Sequence, residues 1–153
     1  MVTGNTWCIM TKTVKIAKEF HWEMAHRLPY HTGGCQNIHG HSYILWVEIE
    51  GQPQENGMLL DYAEIKRIVK PMIDMLDHGF ICSRDDKAVL AFLNNSKFKM
   101  TIVDFYTTAE NLCYYFADAI EKEIIKYPHV HSMKIRICET RSSYAEITRS
   151  LKR

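Results

Sequence analysis

No two cysteines of this chain stand as C-x-x-C, and the five present (Cys8, Cys35, Cys82, Cys113 and Cys138) are odd in number and widely spaced. That argues against a disulfide framework and predicts free thiols in a reducing cytoplasm. The first residues lack the basic, apolar and small-residue order of a secretory signal. No apolar run approaches the roughly 20 residues needed to span a bilayer, so no membrane partner is expected. Charge of one sign is not in excess either: 19 Lys and Arg stand against 18 Asp and Glu, a formal net charge of +1. General nucleic-acid binders show a basic surplus, so no nucleic-acid partner is expected. Internal repeats and low-complexity tracts are absent as well. The remaining composition, 46% apolar over 153 residues, fits one globular domain with its own core.

The chain carries an unusual histidine constellation. His26 closes the run Phe20 to His26, and His39 and His41 flank a glycine just after Cys35-Gln36-Asn37-Ile38. Three neutral imidazoles bind zinc and leave a coordination position open, which suits a catalytic site better than a structural one. A thiol near that open position is a candidate base or nucleophile. Isolated histidines are usually plain polar side chains, and His21, His31, His129 and His131 are read that way.

Apolar periodicity supplies the frame. Val14, Ile16, Phe20, Trp22 and Met24 share a parity with His26, and Tyr43, Leu45, Val47 and Ile49 share one with His41. Period two predicts two half-buried strands, Lys12 to His26 and His41 to Glu50, joined by a loop rich in Pro29, Gly33, Gly34 and Gly40. An antiparallel return brings His26 beside His39 and His41, which point to one face. Asp61 with Glu64 predicts a capping-box start for a helix ending near Asp77-His78-Gly79, kinked or restarted at Pro71. A second helix is predicted from Thr107 or Thr108 to Ile124, with Glu110 placed for a capping box. Strands are predicted over roughly 131–139 and 143–150. Within 82–106, Val89 to Leu93 reads as a short helix and Lys99 to Phe105 as a short strand. The expected fold class is α+β, helices layered on an antiparallel sheet, with residues 1–10 as a leader and 11–153 as the single domain.

Several separated motifs resemble the family of 6-pyruvoyl and 6-carboxy-tetrahydropterin synthases. They are Phe20 to Pro29, Cys35 to Tyr43, Gly57 to Ile65, Leu76 to Gly79, Thr108-Ala109-Glu110-Asn111 and Cys138-Glu139-Thr140. The resemblance implies the tunnelling fold, a four-stranded antiparallel sheet with two helices packed on one face. It implies Zn2+ on His26, His39 and His41. It also implies a catalytic group of Cys35, Asp77 and His78, and substrate binding by Glu139, with Thr108 and Glu110 near the pterin. Read without it, Asp77-His78 is an ordinary helix end, Glu139 an exposed strand residue, and Thr108 and Glu110 helix caps.

The substrate so implied is 7,8-dihydroneopterin triphosphate. The spacing of Cys35 to His39 is similar to that of bacterial carboxy-tetrahydropterin synthases of queuosine biosynthesis. That branch releases 6-carboxy-tetrahydropterin, acetaldehyde and triphosphate. The alternatives are the pyruvoyl branch, which keeps the side chain after losing triphosphate, and a non-catalytic zinc- or pterin-binding module. The resemblance further implies a homo-oligomer, trimer-based or hexameric, with active sites at subunit boundaries. Lys15, Lys18, Arg27 and Arg141 are candidate triphosphate partners. The chain departs from the pattern at Gly79-Phe80-Ile81-Cys82, in the length of segment 82–106, and at Thr107.

Overall fold

Alternation of buried and exposed residues organises the long strands in the computed structural model, which describes residues 12–151. The expected leader and Cys8 lie outside the described residues. Strand β1 (Val14–His26) buries Phe20, Trp22, Met24 and His26 on one side. Strand β2 (His39–Gly51) buries Tyr43, Leu45, Val47 and Ile49 completely. A 3-10 turn at Gly34–Gln36 interrupts the connection between them. Helix α1 (Tyr62–Leu76), strand β3 (Gly79–Ser83), helix α2 (Lys87–Leu93) and strand β4 (Met100–Val103) follow. Helix α3 (Ala109–Ile124) and strands β5 (Val130–Thr140) and β6 (Ser143–Ser150) complete the order.

The sheet order is β4-β3-β1-β2-β5-β6. The four antiparallel strands expected from the sequence form the continuous run β1-β2-β5-β6. The four-stranded, two-helix expectation is incomplete, because β3 and β4 add in parallel beside β1 and α2 is a third helix. The sheet is therefore six-stranded and mixed. The physical reason is the burial of β3 on both faces: Phe80, Ile81, Cys82 and Ser83 are all buried, so no alternation marks the strand.

Helices α1 and α3 cover one sheet face. Ile65, Ile68, Val69, Ile73 and Leu76 of α1, and Leu112, Phe116, Ile120 and Ile124 of α3, join the main core with Leu45, Ile49, Ile135 and Ile137. Each such side chain, fully buried, contributes about 1.5–3 kcal/mol. Ile81 joins this core too, whereas Phe80 and Cys82 form a second cluster with Val89 and Leu93 of α2. Alternate β3 residues point to opposite faces, so α2 lies across the sheet from α1.

Two local expectations need correction. Helix α1 continues through Pro71 without a restart; the residue is exposed, so water can satisfy the carbonyl that loses its donor. Asp61 does cap α1, accepting from Ala63 N at 2.7 Å. Glu64 does not close a box, because its carboxylate is taken by Arg67 and by the Tyr127 hydroxyl at 2.6 Å. At α3 the cap is Thr108, whose hydroxyl accepts from Asn111 N at 3.3 Å.

Candidate metal centre and its surroundings

Strand register gathers the three imidazoles. His26 lies opposite His39, and Met24 opposite His41, at the open end of the β1–β2 pair. One potential ligand atom from each of His26, His39 and His41 lies within 4.8 Å of the others. Ring centroids are 4.6 Å apart for His26 and His39, 5.2 Å for His26 and His41, and 5.0 Å for His39 and His41.

Hydrogen bonds fix two of the tautomers. His26 Nδ1 lies 2.8 Å from Thr107 O, and His39 Nδ1 lies 2.8 Å from Asn37 O. A carbonyl only accepts, so each Nδ1 carries the hydrogen and each Nε2 keeps its lone pair. Both Nε2 atoms are buried without a hydrogen-bond partner. Burial lowers the His26 pKa to about 4, with the neighbouring imidazoles adding to the push, so this ring is neutral near pH 7. Burial also lowers the His41 pKa. Buried Nε2 atoms without a partner, each with the opposite ring nitrogen held by a carbonyl, are what a divalent ion requires of its donors.

The residues around the histidines are aromatic and acidic. Tyr43 is fully enclosed, stacks on Trp22 at 5.1 Å, and meets the His41 ring edge-on at 5.4 Å. Its hydroxyl donates to Glu139 Oε1 at 3.2 Å, and the same oxygen lies 3.9 Å from His26 Nε2. Burial first, then the Glu139 carboxylate, then Cys35 hold the Tyr43 phenol far above its ordinary pKa. Glu139, Thr108 and Glu110 line one cavity of about 300 Å³ together with Leu28 and Tyr144. Thr108 thus serves as a cap and as a wall of that cavity.

Asp77 and His78 occupy a different place, the turn between α1 and β3. Asp77 Oδ1 lies 2.9 Å from His78 Nδ1 and accepts from Glu23 N at 3.0 Å. That backbone bond, ahead of the His78 contact, holds the Asp77 carboxyl below its usual range. His78 lines a groove of about 660 Å³ that also reaches His41, Glu23 and Phe80. Cys35 sits in the 3-10 turn, half-buried, with its carbonyl accepting from Leu28 N at 2.8 Å. Among the described residues, no hydrogen bond or ion pair joins Cys35 to Asp77 or His78.

Other side chains fall into ordinary roles. Cys82 and Cys113 are buried, and burial pushes each thiol up to about 11. Two of the candidate phosphate cations are already engaged, Arg27 with buried Asp86 at 2.9 Å and Lys15 with Glu48 at 3.3 Å. Sequence reading missed Tyr43 and Thr107 as neighbours of the histidines. Tyr43 shares the parity of His41 two residues away, a signal that was present but read as core packing.

Comparison with known proteins agrees with this geometry. The family described as 6-pyruvoyl tetrahydropterin synthase matches residues 15–150. The 6-carboxy-5,6,7,8-tetrahydropterin synthase of Haemophilus influenzae is 36% identical over 140 residues, covering 86% of this chain and 96% of that protein. A putative synthase of the same name from Pyrococcus horikoshii is 32% identical, covering 94% of each. The crystal structure of 6-pyruvoyl tetrahydropterin synthase from Plasmodium vivax shares the fold with a TM-score of 0.74 at 20% identity, covering 92% of this chain and 99% of that one. An uncharacterised protein from Wolinella succinogenes shares it with a TM-score of 0.76 at 20% identity, over 90% and 98%. The six-stranded sheet, the histidine cluster and the matched span together place the chain in the 6-pyruvoyl tetrahydropterin synthase family.

Proposed function

We propose that this protein is a zinc-dependent lyase, a 6-carboxy-5,6,7,8-tetrahydropterin synthase. Its substrate would be 7,8-dihydroneopterin triphosphate, and its products 6-carboxy-tetrahydropterin, acetaldehyde and triphosphate. The observation that carries the reading is the pair of orphaned, inward Nε2 atoms of His26 and His39 beside His41. The names borne by relatives at 36% and 32% identity, 6-carboxy-5,6,7,8-tetrahydropterin synthase, support the pterin product class.

His26, His39 and His41 hold the metal, and a bound zinc ion supplies Lewis-acid polarisation of substrate oxygens. Glu139 receives the pterin in the cavity it shares with Thr108 and Glu110. A carboxylate can accept two parallel N–H bonds from the ring amide and amino group, and a ligand lacking them would strand it. The Tyr43 hydroxyl aims that carboxylate and, with its raised pKa, stays a donor throughout the neutral range. Cys35 removes a substrate proton as thiolate. Asp77 remains ionised and orients His78, leaving Nε2 of that ring free to exchange protons.

Cys35 shares no hydrogen bond or ion pair with Asp77 or His78 among the described residues, which is compatible with a shared site in which a neighbouring copy supplies the pair. The sheet has open edges for such joining: β3 pairs with β1 only at Met24 and Ala25, and β6 forms the far edge. Open edges of this length invite pairing between copies. A trimer-based assembly, single or stacked into a hexamer, satisfies both. The zinc-loaded protein incubated with dihydroneopterin triphosphate tests the reading. Acetaldehyde with a carboxy-pterin supports it. Triphosphate release with a retained three-carbon side chain assigns the pyruvoyl reaction instead, and zinc binding without turnover leaves only a binding module.

A further inference from the structure

The turn carrying Asp77 and His78 is held by a lysine that arrives from the start of β4, beyond helix α2. Lys99 precedes β4, and its carbonyl accepts from Phe80 N at 3.0 Å. Its side chain then runs back across Gly79. A Cβ at Gly79 would lie 3.3 Å from Lys99 Cγ and 3.0 Å from Leu76 O, so the glycine leaves the room the lysine stem occupies. The ammonium donates to Asp74 O at 2.6 Å and to Asp77 O at 2.5 Å. Those are free carbonyls at the end of α1, where a cation also meets the favourable end of the helix dipole.

His78 needs such a hold. Its φ is +55°, the left-handed region, which is strained for a non-glycine residue. Glu23 secures the turn from the other side, its N–H on Asp77 Oδ1 and its carbonyl receiving His78 N at 2.7 Å. The Asp77 peptide is therefore gripped at its carboxylate by β1 and at its carbonyl by Lys99. His78 itself is largely exposed, so its ring direction depends on this backbone grip together with the Asp77 carboxylate 2.9 Å from Nδ1, which the same grip holds in place.

We propose that Lys99 is a positioning residue: by tying the Asp74 and Asp77 carbonyls together it fixes the left-handed His78 and the direction in which its imidazole points. The proposal rests on the role given above to the Asp77–His78 pair. Nothing in the polar run before Lys99 marks it, since a lysine there reads as solvated.

Lys99→Met keeps the stem over Gly79 and removes the donors. Amide hydrogen exchange on the zinc-loaded full chain is the direct readout. In Lys99→Met the His78 amide should exchange roughly tenfold faster while core amides of α3 keep their protection. In the same variant kcat should fall about tenfold with KM and zinc content unchanged. Lys99→Arg, which restores donors, should recover most of both losses. Unchanged exchange at His78, or acceleration spread equally through α3, overturns the proposal. Unchanged kcat in Lys99→Met alongside an inactive His78→Ala overturns it too. A fully active His78→Ala instead refutes the catalytic reading of the pair, and the exchange result alone then decides whether Lys99 holds the turn.

Discussion

Replacing Tyr43 by Phe removes one oxygen and nothing else, which makes its consequences calculable. The ring is fully enclosed, so its stack on Trp22 at 5.1 Å and its edge contact with His41 at 5.4 Å persist in the variant. The lost bond is the hydroxyl's donation to Glu139 Oε1 at 3.2 Å, long for an O–H···O contact. A hydrogen bond to a charged acceptor is worth about 1.5–3 kcal/mol, and the length points to the lower end. Glu139 keeps 24% of its side chain exposed, so water can replace the hydroxyl and reduce the stability cost to about 1 kcal/mol. For a domain of this size that is a fall of roughly 2–4 °C in Tm. The functional effect should be separate. A carboxylate released from its anchor aims less well at a planar ligand, and a loss of about 1.4 kcal/mol would raise KM about tenfold. Zinc content should not change. The assay is KM for dihydroneopterin triphosphate beside a thermal melt and metal analysis. A Tm drop with an unchanged KM would refute the aiming role and leave Tyr43 as core alone.

His39→Ala should lose the metal, because it removes a buried, correctly polarised Nε2; full zinc occupancy by elemental analysis would count against the ligand set. Cys35→Ala should retain zinc and lose turnover by at least about a hundredfold, as expected for a proton-transfer group, and undiminished rates would remove that role. Asp77 has a lowered folded-state pKa, so its contribution is present above the ordinary carboxyl value near 3.9 and is lost as pH falls through the folded one. Thermal melts of Asp77→Asn should therefore lie below the parent's at neutral pH and converge with them on acidification; a gap that widens in acid would contradict the sign.

The long strands were legible because each buries one face. Phe20, Trp22, Met24 and His26 follow the alternation that the sequence prints, and the same period two puts His39 and His41 on a common side. The histidine cluster is a direct consequence of that parity plus an antiparallel return. Strand β3 was illegible for the opposite reason. With its inner face on α1 and its outer face on α2, every residue after Gly79 is buried and the period vanishes. Glu64 shows a limit of capping signatures: the spacing from Asp61 was right, but Arg67 and Tyr127 compete for the carboxylate and win it. Lys99 was invisible because its partners are main-chain carbonyls, which carry no sequence signal.

X-ray absorption at the zinc edge of the loaded protein examines the metal centre most directly. Three imidazole nitrogens at about 2.0–2.1 Å with an additional light ligand, and no sulfur, is the expected shell. A scatterer at about 2.3 Å would place a cysteine thiolate on the ion and contradict both the ligand set and the role of Cys35 as a free base.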